Sequence, residues 1–435
     1  MTLLCAGSDR NLTATDNPSL AQATRIWWKI GVLSFGGPAA QIALMHKEVV
    51  DDREWLTEEQ FLNGLSFCML LPGPEAMQLA TYSGWRLHGT VGGLIAGLLF
   101  VIPGAVVILT LAAIYSTYGD VPLVEGVFYG IKAAVLVIVV EALLRVAKRA
   151  LSQRWHWAVA GLAFVGIFFL SIPYPLIVLI AALVGWFMAT GETQAQIVDM
   201  SHVSIAKTGR TIGIWLAIWL LPLLGLTSAG APDLLVQVGT FFSTLAVVTF
   251  GGAYAVLAYM AQDVVVQFGW LSPQEMVDAL GLAETTPGPL ILVTEFVGFL
   301  AGYKDGGLAL GIAAALVALW MTFAPCFLWI FAGAPYIDWI SNQPRLNGAL
   351  KAITAAAVGV ILNLSIWFAL HVLFARITRL QMGPITLWQP DLATIEWFAM
   401  ALFLLFAFLA LRLRWSIIRI LILAAGLGAA GQVIL

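Results

Sequence analysis

The sequence predicts an all-α, polytopic membrane protein built from two homologous copies of one unit. Of its 435 residues, 61% are hydrophobic and only 10% are charged, whereas a soluble domain carries about 25% charged residues. Apolar runs long enough to cross a bilayer as helices recur along the chain, and its mean hydropathy is +0.93. Two blocks of the sequence also match each other at a constant offset, which indicates a duplication.

The duplication is defined by two short motifs. Ser34-Phe35-Gly36-Gly37 returns as Thr249-Phe250-Gly251-Gly252, and Pro72-Gly73-Pro74 returns as Pro287-Gly288-Pro289, both at an offset of 215 residues. Because glycine and proline interrupt apolar sequence at corresponding places in two halves, these positions point to a transport site.

The apolar segments number six in the first copy, one between the copies and six in the second. They span residues 24–47, 59–86, 89–118, 124–147, 155–170 and 172–190, then 211–227, then 235–262, 275–301, 306–332, 346–375, 395–411 and 415–434. The chain therefore divides into a tail (1–21), a first repeat (22–190), a polar loop with a linker helix (191–234) and a second repeat (235–434).

The number of crossings sets the relative orientation of the repeats. If every segment crosses, seven crossings separate equivalent positions, and the second repeat is inverted relative to the first. If Phe-Gly-Gly instead marks a re-entrant hairpin, six crossings remain and the repeats are parallel. The positive-inside rule places Arg145, Lys148 and Arg149 in the cytoplasm. The N-terminus is then cytoplasmic and the C-terminus periplasmic.

Each Pro-Gly-Pro is expected to break its helix, because proline removes a backbone donor and glycine adds freedom. The N–H groups that follow, of Glu75-Ala76 and Leu290-Ile291, would lie at a positive helix end that suits an anion. Three alternatives stay open: a simple kink, a cation bound by the freed carbonyls, and capping of the half-helix by Glu75 itself.

Charged residues within the apolar segments are costly and therefore informative. Lys132 and Lys351 occupy corresponding places and could neutralise a dianion, or could extend to the lipid headgroups. Glu284, Glu295 and Glu141 are candidates for proton coupling, with a structural salt bridge as the alternative.

Together these observations give one set of candidate substrate-binding residues. It comprises Phe35, Gly36, Gly37, Gln41, Pro72, Gly73, Pro74, Glu75, Ala76, Gln78, Phe250, Gly251, Gly252, Pro287, Gly288, Pro289, Leu290, Ile291, Lys132 and Lys351.

At these motifs the chain resembles the long, two-domain form of the chromate ion transporter family. The residues that carry the resemblance are Ser34-Phe35-Gly36-Gly37-Pro38-Ala39-Ala40-Gln41, Trp55-Leu56 and Leu71-Pro72-Gly73-Pro74, with their reduced copies in the second half. The resemblance implies a bacterial inner-membrane protein that exports chromate, driven by the proton-motive force, with sulfate as the look-alike substrate.

Other functional classes fit the sequence less well. Sulfate, another oxyanion or an organic anion is the alternative cargo, and a membrane-embedded enzyme is the distant one, because five scattered histidines show no metal-ligand spacing. We expect no enzymatic activity, no cofactor, no metal site and no nucleic-acid partner. The lipid bilayer and the oxyanion are the expected partners, and a homodimer is left open.

Overall fold

The computed structural model of the protein describes residues 18–118, 121–189, 204–250, 253–341 and 343–434. Most of the N-terminal tail and of the polar loop, and both Gly251 and Gly252, lie outside the described residues. The first copy and the linker comprise α1 (Leu20–Leu33), α2 (Gly37–His46), α3 (Glu58–Cys68), α4 (Glu75–Tyr118), α5 (Pro122–Ala150), α6 (Arg154–Phe168), α7 (Tyr174–Met188) and the linker helix α8 (Ile205–Ser228).

The second copy repeats this order and adds a β-hairpin. It comprises α9 (Asp233–Val248), α10 (Ala253–Gln262), α11 (Pro273–Thr285), α12 (Val293–Gly333), α13 (Ile337–Ser341), α14 (Pro344–Leu373), β1 (Ile377–Met382), β2 (Ile385–Pro390), α15 (Trp397–Ala407) and α16 (Ile417–Ile434). Short π-helical turns extend α2, α10 and α15 at Lys47–Asp51, Asp263–Gln267 and Phe408–Arg412.

The predicted first segment is two helices that fold back on each other. It is interrupted after Leu33, where Gly36 and Gly37 adopt φ values of 87° and 77° that only glycine adopts readily. Lys29 Nζ on α1 lies 2.6 Å from Glu48 Oε1 beyond α2. In a straight helix these two residues would be about 28 Å apart. The first segment is therefore a helical hairpin rather than a single rod.

The equivalent segment of the second copy folds back in the same way. The rings of Phe241 on α9 and Tyr259 on α10 lie 5.9 Å apart, whereas a straight helix would separate them by about 27 Å. Both copies thus begin with a helical hairpin, which turns at Gly36 and Gly37 in the first copy and after Phe250 in the second.

Five helical stretches among the described residues are long and apolar enough to cross a membrane. They are Glu75–Tyr118, Pro122–Ala150, Ile205–Ser228, Leu290–Tyr336 and Pro344–Leu373. The first contains a non-helical break at His88 and Gly89, and the fourth contains one at Gly306 and Gly307. Since the remaining apolar helices are shorter, the predicted count of thirteen crossings is not confirmed.

The two copies pack through matched pairs of helices. Within each copy, α1 packs on α4 and α9 on α12, and between the copies α5 packs on α16 as α14 packs on α7. Glycines allow these close approaches: Gly130 faces the carbonyl of Ala424, and Gly185 faces the carbonyl of Gly348. The duplication seen in sequence is therefore also a duplication of interhelical contacts.

The β-hairpin was not predicted from the sequence. Strands β1 and β2 pair antiparallel from Ile377 with Pro390 to Met382 with Ile385, around Gly383 with φ 62°. The hairpin joins α14 to α15.

Candidate functional site

The tips of the two copies bind each other in a reciprocal exchange. The Gly73 N–H donates to the Thr249 carbonyl at 2.9 Å, and the Gly288 N–H donates to the Ser34 carbonyl at 2.9 Å. Gly73 and Gly288 are equivalent in the duplication, as are Ser34 and Thr249. We call this arrangement of residues 34–37, 72–74, 249–250 and 287–289 the crossover. Each Pro-Gly-Pro is thus held by the Phe-Gly-Gly tip of the other copy.

Two buried glutamines stabilise the crossover from within the first copy. Gln41 Nε2 donates to the Gly288 carbonyl at 2.7 Å and to the Ser34 carbonyl at 3.3 Å. Gln78 Nε2 donates to the Pro72 carbonyl at 2.7 Å. Because their amide donors are already used, both glutamines position the backbone of the crossover.

The helix starts that follow the two Pro-Gly-Pro motifs differ. Helix α4 begins directly at Glu75, which is partly exposed, whereas the second motif leads into a buried 3-10 turn, Leu290–Leu292, before α12 begins. The Glu75 carboxylate accepts a hydrogen bond from its own backbone N–H. The first backbone N–H groups of a helix have no partner within it. Of the two helix starts, the one at α4 is the more accessible.

A charged stripe on α5 reaches matched positions in both copies. Glu141, Arg145 and Arg149 follow each other at four-residue spacing, which places them on one face of the helix. Arg149 Nη2 lies 2.9 Å from Met69 Sδ, and Arg145 and Glu141 act electrostatically on the carboxylate of Glu284. Met69 and Glu284 are equivalent in the duplication, each three residues before its Pro-Gly-Pro. The α5 stripe thus contacts the first copy at Met69 and acts electrostatically on the equivalent residue of the second copy.

The α5 stripe is solvated rather than buried. Arg145 Nη2 pairs with Glu141 Oε1 at 2.8 Å, and the two side chains are 53% and 37% exposed. Exposed charges on an apolar helix of a membrane protein normally face a water-filled cavity. Arg149 is also exposed and acts electrostatically on Glu75 at the start of α4. The stripe therefore offers two accessible guanidinium groups beside the crossover.

Glu284 belongs to the second copy and is held in place by a hydrogen bond. Its Oε1 accepts a hydrogen bond from the Tyr254 hydroxyl at 2.9 Å, and the residue is buried. Glu295, the other predicted coupling residue in the second copy, is also buried, and its Oε2 has no hydrogen-bond partner among the described residues. Of the two, Glu284 is the one that faces the stripe.

The two predicted lysines do not form the matched pair that their sequence positions suggested. Lys132 is buried and forms an ion pair with Asp278 at 2.9 Å, and the Tyr115 hydroxyl donates to the same carboxylate at 2.7 Å. Lys351 is exposed on α14. The charge of Lys132 is therefore already neutralised by the second copy.

The remaining predicted residues differ in exposure. Phe35 is exposed, whereas Pro72, Pro74, Ala76, Pro287, Pro289 and Ile291 are buried. Phe250 is partly buried, and its carbonyl accepts a hydrogen bond from the Tyr174 hydroxyl at 3.1 Å. Within the described residues, no group of three or more His, Cys, Asp or Glu side chains could hold a metal ion.

Sequence reasoning missed Arg145 and Arg149 as site residues, because the positive-inside rule assigned them to a cytoplasmic loop. Their four-residue spacing with Glu141 was the available signal. Such spacing marks a single helix face, and a charged face on an apolar helix indicates a cavity.

Comparison with known proteins identifies the family. A family model described as chromate transporter matches residues 21–186 and 236–430. The probable chromate transport protein of Synechococcus elongatus is 30% identical over 79% of this chain and 83% of its own. The chromate transport protein of Cupriavidus metallidurans is 28% identical over 79% and 81%, and an uncharacterized transporter of Methanocaldococcus jannaschii is 25% identical over 82% and 86%. No solved structure matches the chain. With both repeats covered by the family model, the chain belongs to the chromate transporter family and is a multi-pass membrane protein.

Proposed function

We propose that the protein is a secondary transporter that exports a tetrahedral divalent oxyanion, with chromate as the first candidate, and that it binds the anion at the crossover beside the α5 stripe. The observation that carries the proposal is the reach of the stripe to Met69 and Glu284, which are equivalent residues of the two copies. A small anion between them would contact both repeats at once, as alternating access requires.

The charges around the crossover suit a dianion. Arg145 and Arg149 supply two guanidinium groups, which present forked donors that match oxyanions. The start of α4 adds a partial positive charge of roughly half a unit. Glu141, which pairs with Arg145, and Glu75, on which Arg149 acts electrostatically, offset part of this charge in the absence of substrate.

Competition for Arg145 provides a route to proton coupling. The Glu284 carboxylate and a bound oxyanion would both draw on the charge of Arg145. Protonation of Glu284 would leave that charge to the anion, and release of the anion would favour the ionised carboxylate. The proton and the anion would then bind together through one guanidinium group, and outward movement of their net negative charge would be driven by the electrical part of the proton-motive force. Glu141 and Glu295 stay the alternative coupling residues.

The helix contacts support inverted repeats. With the first segments folded back, three long apolar stretches lie between the start of α1 and the start of α9, namely Glu75–Tyr118, Pro122–Ala150 and Ile205–Ser228, rather than the six that the sequence count gives for this case. An odd number of crossings inverts the second copy. Near the start of α5, the Tyr129 hydroxyl bonds to Glu396, and the Glu396 N–H bonds to the Leu373 carbonyl at the end of α14. At the other end of α5, Ala150 belongs to the same apolar cluster as Val358 in the middle of α14. Antiparallel α5 and α14, as inverted copies require, account for both contacts.

The proposed location is the bacterial inner membrane, with the N-terminus in the cytoplasm. The named relatives support chromate as the first substrate to test. Sulfate is the second candidate, because it shares the tetrahedral shape and double charge of chromate.

The test is uptake of chromate into inverted membrane vesicles, with sulfate and molybdate as competitors and a protonophore to collapse the proton gradient. We expect saturable uptake that the protonophore abolishes. Arg149→Gln should raise KM about tenfold, equivalent to about 1.4 kcal/mol, with partial rescue by Arg149→Lys. Arg210→Gln on the exposed face of α8 is the matched control, since it removes an equal charge away from the crossover.

The outcomes separate the parts of the proposal. Uptake of every oxyanion equal to that of empty-vector vesicles would refute oxyanion transport. Equal effects of Arg149→Gln and Arg210→Gln would refute the site. Glu284→Gln should keep oxyanion exchange but lose the dependence of uptake on the pH difference across the membrane, and an unchanged dependence in this variant would refute its coupling role.

A further inference from the structure

The second copy carries a β-hairpin that the first copy lacks. Residues 151–153 alone join α5 to α6, whereas residues 374–396 join α14 to α15 and form the β-hairpin. The duplication is therefore asymmetric at this link, as it is where α13 precedes α14. The α5 stripe is exposed beside the short link, and the corresponding part of α14 lies beneath the hairpin.

The hairpin rests on the turn between α6 and α7. The Thr386 N–H donates to the Phe169 carbonyl at 2.7 Å, and the Thr386 and Ser171 hydroxyl oxygens lie 3.2 Å apart. Ser171 has a left-handed φ of 51°, which is uncommon for a residue with a side chain. Only a few polar contacts among the described residues thus connect the hairpin to this turn.

A small cavity with a largely apolar lining lies beneath the hairpin. Its polar lining residues are Ser171, Gln262, Asn363 and Arg379, and Trp388 and Trp367 are among its apolar walls. The Arg379 guanidinium lies 5.7 Å from the centre of the Trp388 ring. The cavity volume is about 30 Å³, and Arg379 and Trp388 of the hairpin close one side of it.

Helix α10 runs from the crossover to the cavity. It begins at Ala253, and its end lines the cavity. Between the two, Tyr174 stacks on Tyr259 at 5.3 Å, and the Tyr174 hydroxyl donates to the Phe250 carbonyl. A pair of aromatic rings therefore lies between the cavity and the crossover.

We propose that the β-hairpin is the movable cover of an oxyanion vestibule. In this vestibule Arg379, Asn363, Gln262 and Ser171 bind the anion as it passes between the crossover and the membrane face opposite the start of α1. This inference rests on the proposed function for the nature of the anion. Displacement of the hairpin enlarges the vestibule, and the guanidinium and amide groups offer donors that an oxyanion accepts.

The test is a disulfide that locks the cover. Ser171→Cys with Thr386→Cys, in a Cys5→Ser background, places two thiols at positions whose hydroxyls now nearly touch, while Cys68 and Cys326 are buried. Oxidation should reduce oxyanion transport at least fivefold, and reduction should restore it. Each single-cysteine variant serves as the control and should show no change on oxidation.

A second measurement tests the cover without any transport. Gln262→Cys in the locked and unlocked protein is labelled with a membrane-impermeant maleimide. Labelling should be at least fivefold slower when the disulfide is formed, and equal rates would overturn the proposal. Full transport by the oxidised double-cysteine variant would also overturn it, whereas absence of transport in the wild type would instead refute the proposed function and leave the labelling result to decide on the cover.

Arg379 is tested by charge removal. Arg379→Gln should lower the rate of chromate exchange at least threefold, and Arg379→Lys should recover most of it. Equal exchange by the wild type and Arg379→Gln would show that the vestibule does not bind the anion.

Discussion

Replacement of Gly73 by alanine probes the crossover at its most constrained residue. Gly73 has φ 123°, and an alanine Cβ there would lie 2.6 Å from Gln78 Nε2 and 3.0 Å from Cys326 Sγ. The Gln78 amide would have to move, and the buried Pro72 carbonyl would lose its donor. A left-handed backbone costs a residue with a Cβ about 1–2 kcal/mol. An unsatisfied buried carbonyl adds about 1–3 kcal/mol.

Gly89→Ala is the matched control, because Gly89 also has a positive φ, 62°, but has no atom within 4 Å of its added Cβ. It shares the backbone cost and leaves the crossover intact. We expect Gly73→Ala to be less stable than Gly89→Ala by about 1–3 kcal/mol in denaturant unfolding, and to lose most oxyanion uptake in vesicles. Equal stability and equal uptake of the two variants would refute the reasoning.

Three further substitutions test other contacts. Lys132→Met should destabilise the protein by about 3–5 kcal/mol in denaturant unfolding, because it leaves the Asp278 carboxylate buried without its cation, and a second change of Asp278 to leucine should recover most of the loss. Gln41→Leu should cost about 1–3 kcal/mol in the same assay, because it removes the donor to two buried carbonyls of the crossover; an unchanged stability would contradict this role. The hydrogen bond that His46 donates to the Glu58 carboxylate raises the pKa of His46 above its usual value. The contribution of this pair to stability is therefore full below about pH 6.5 and declines as the pH rises through the raised pKa. His46→Gln should therefore lower the melting temperature more at pH 5.5 than at pH 9, and an equal decrease at both values would refute the assignment.

The helix breaks could be predicted from the sequence, because they follow from local rules. Proline lacks a backbone donor and glycine adopts positive φ, so Gly36 and Gly73 mark interruptions without any knowledge of their neighbours. Segments 24–47, 59–86, 235–262 and 275–301 are accordingly each divided between two helices in the structure. The fold-back at Phe-Gly-Gly was one of two alternatives, and the ion pair of Lys29 with Glu48 decides it.

The contacts between the copies could not be predicted, because they join residues that are distant in sequence. Nothing local indicates that Gly288 bonds to Ser34 or that Lys132 pairs with Asp278. The same limit explains why Arg149 was assigned to the cytoplasm. The positive-inside rule counts basic residues near the ends of apolar segments and does not take into account that α5 ends among other helices at Ala150. The β-hairpin was missed because its strands are short and polar on one side, with only Gly383-Pro384 as a turn signal.

The most direct test of the central claim is the position of a bound oxyanion, measured as the anomalous signal of chromium in a chromate-bound crystal structure. We expect a single strong peak at the crossover, in contact with the backbone at the start of α4 and with Arg149. A peak remote from both Pro-Gly-Pro motifs, with the crossover unchanged, would contradict the account.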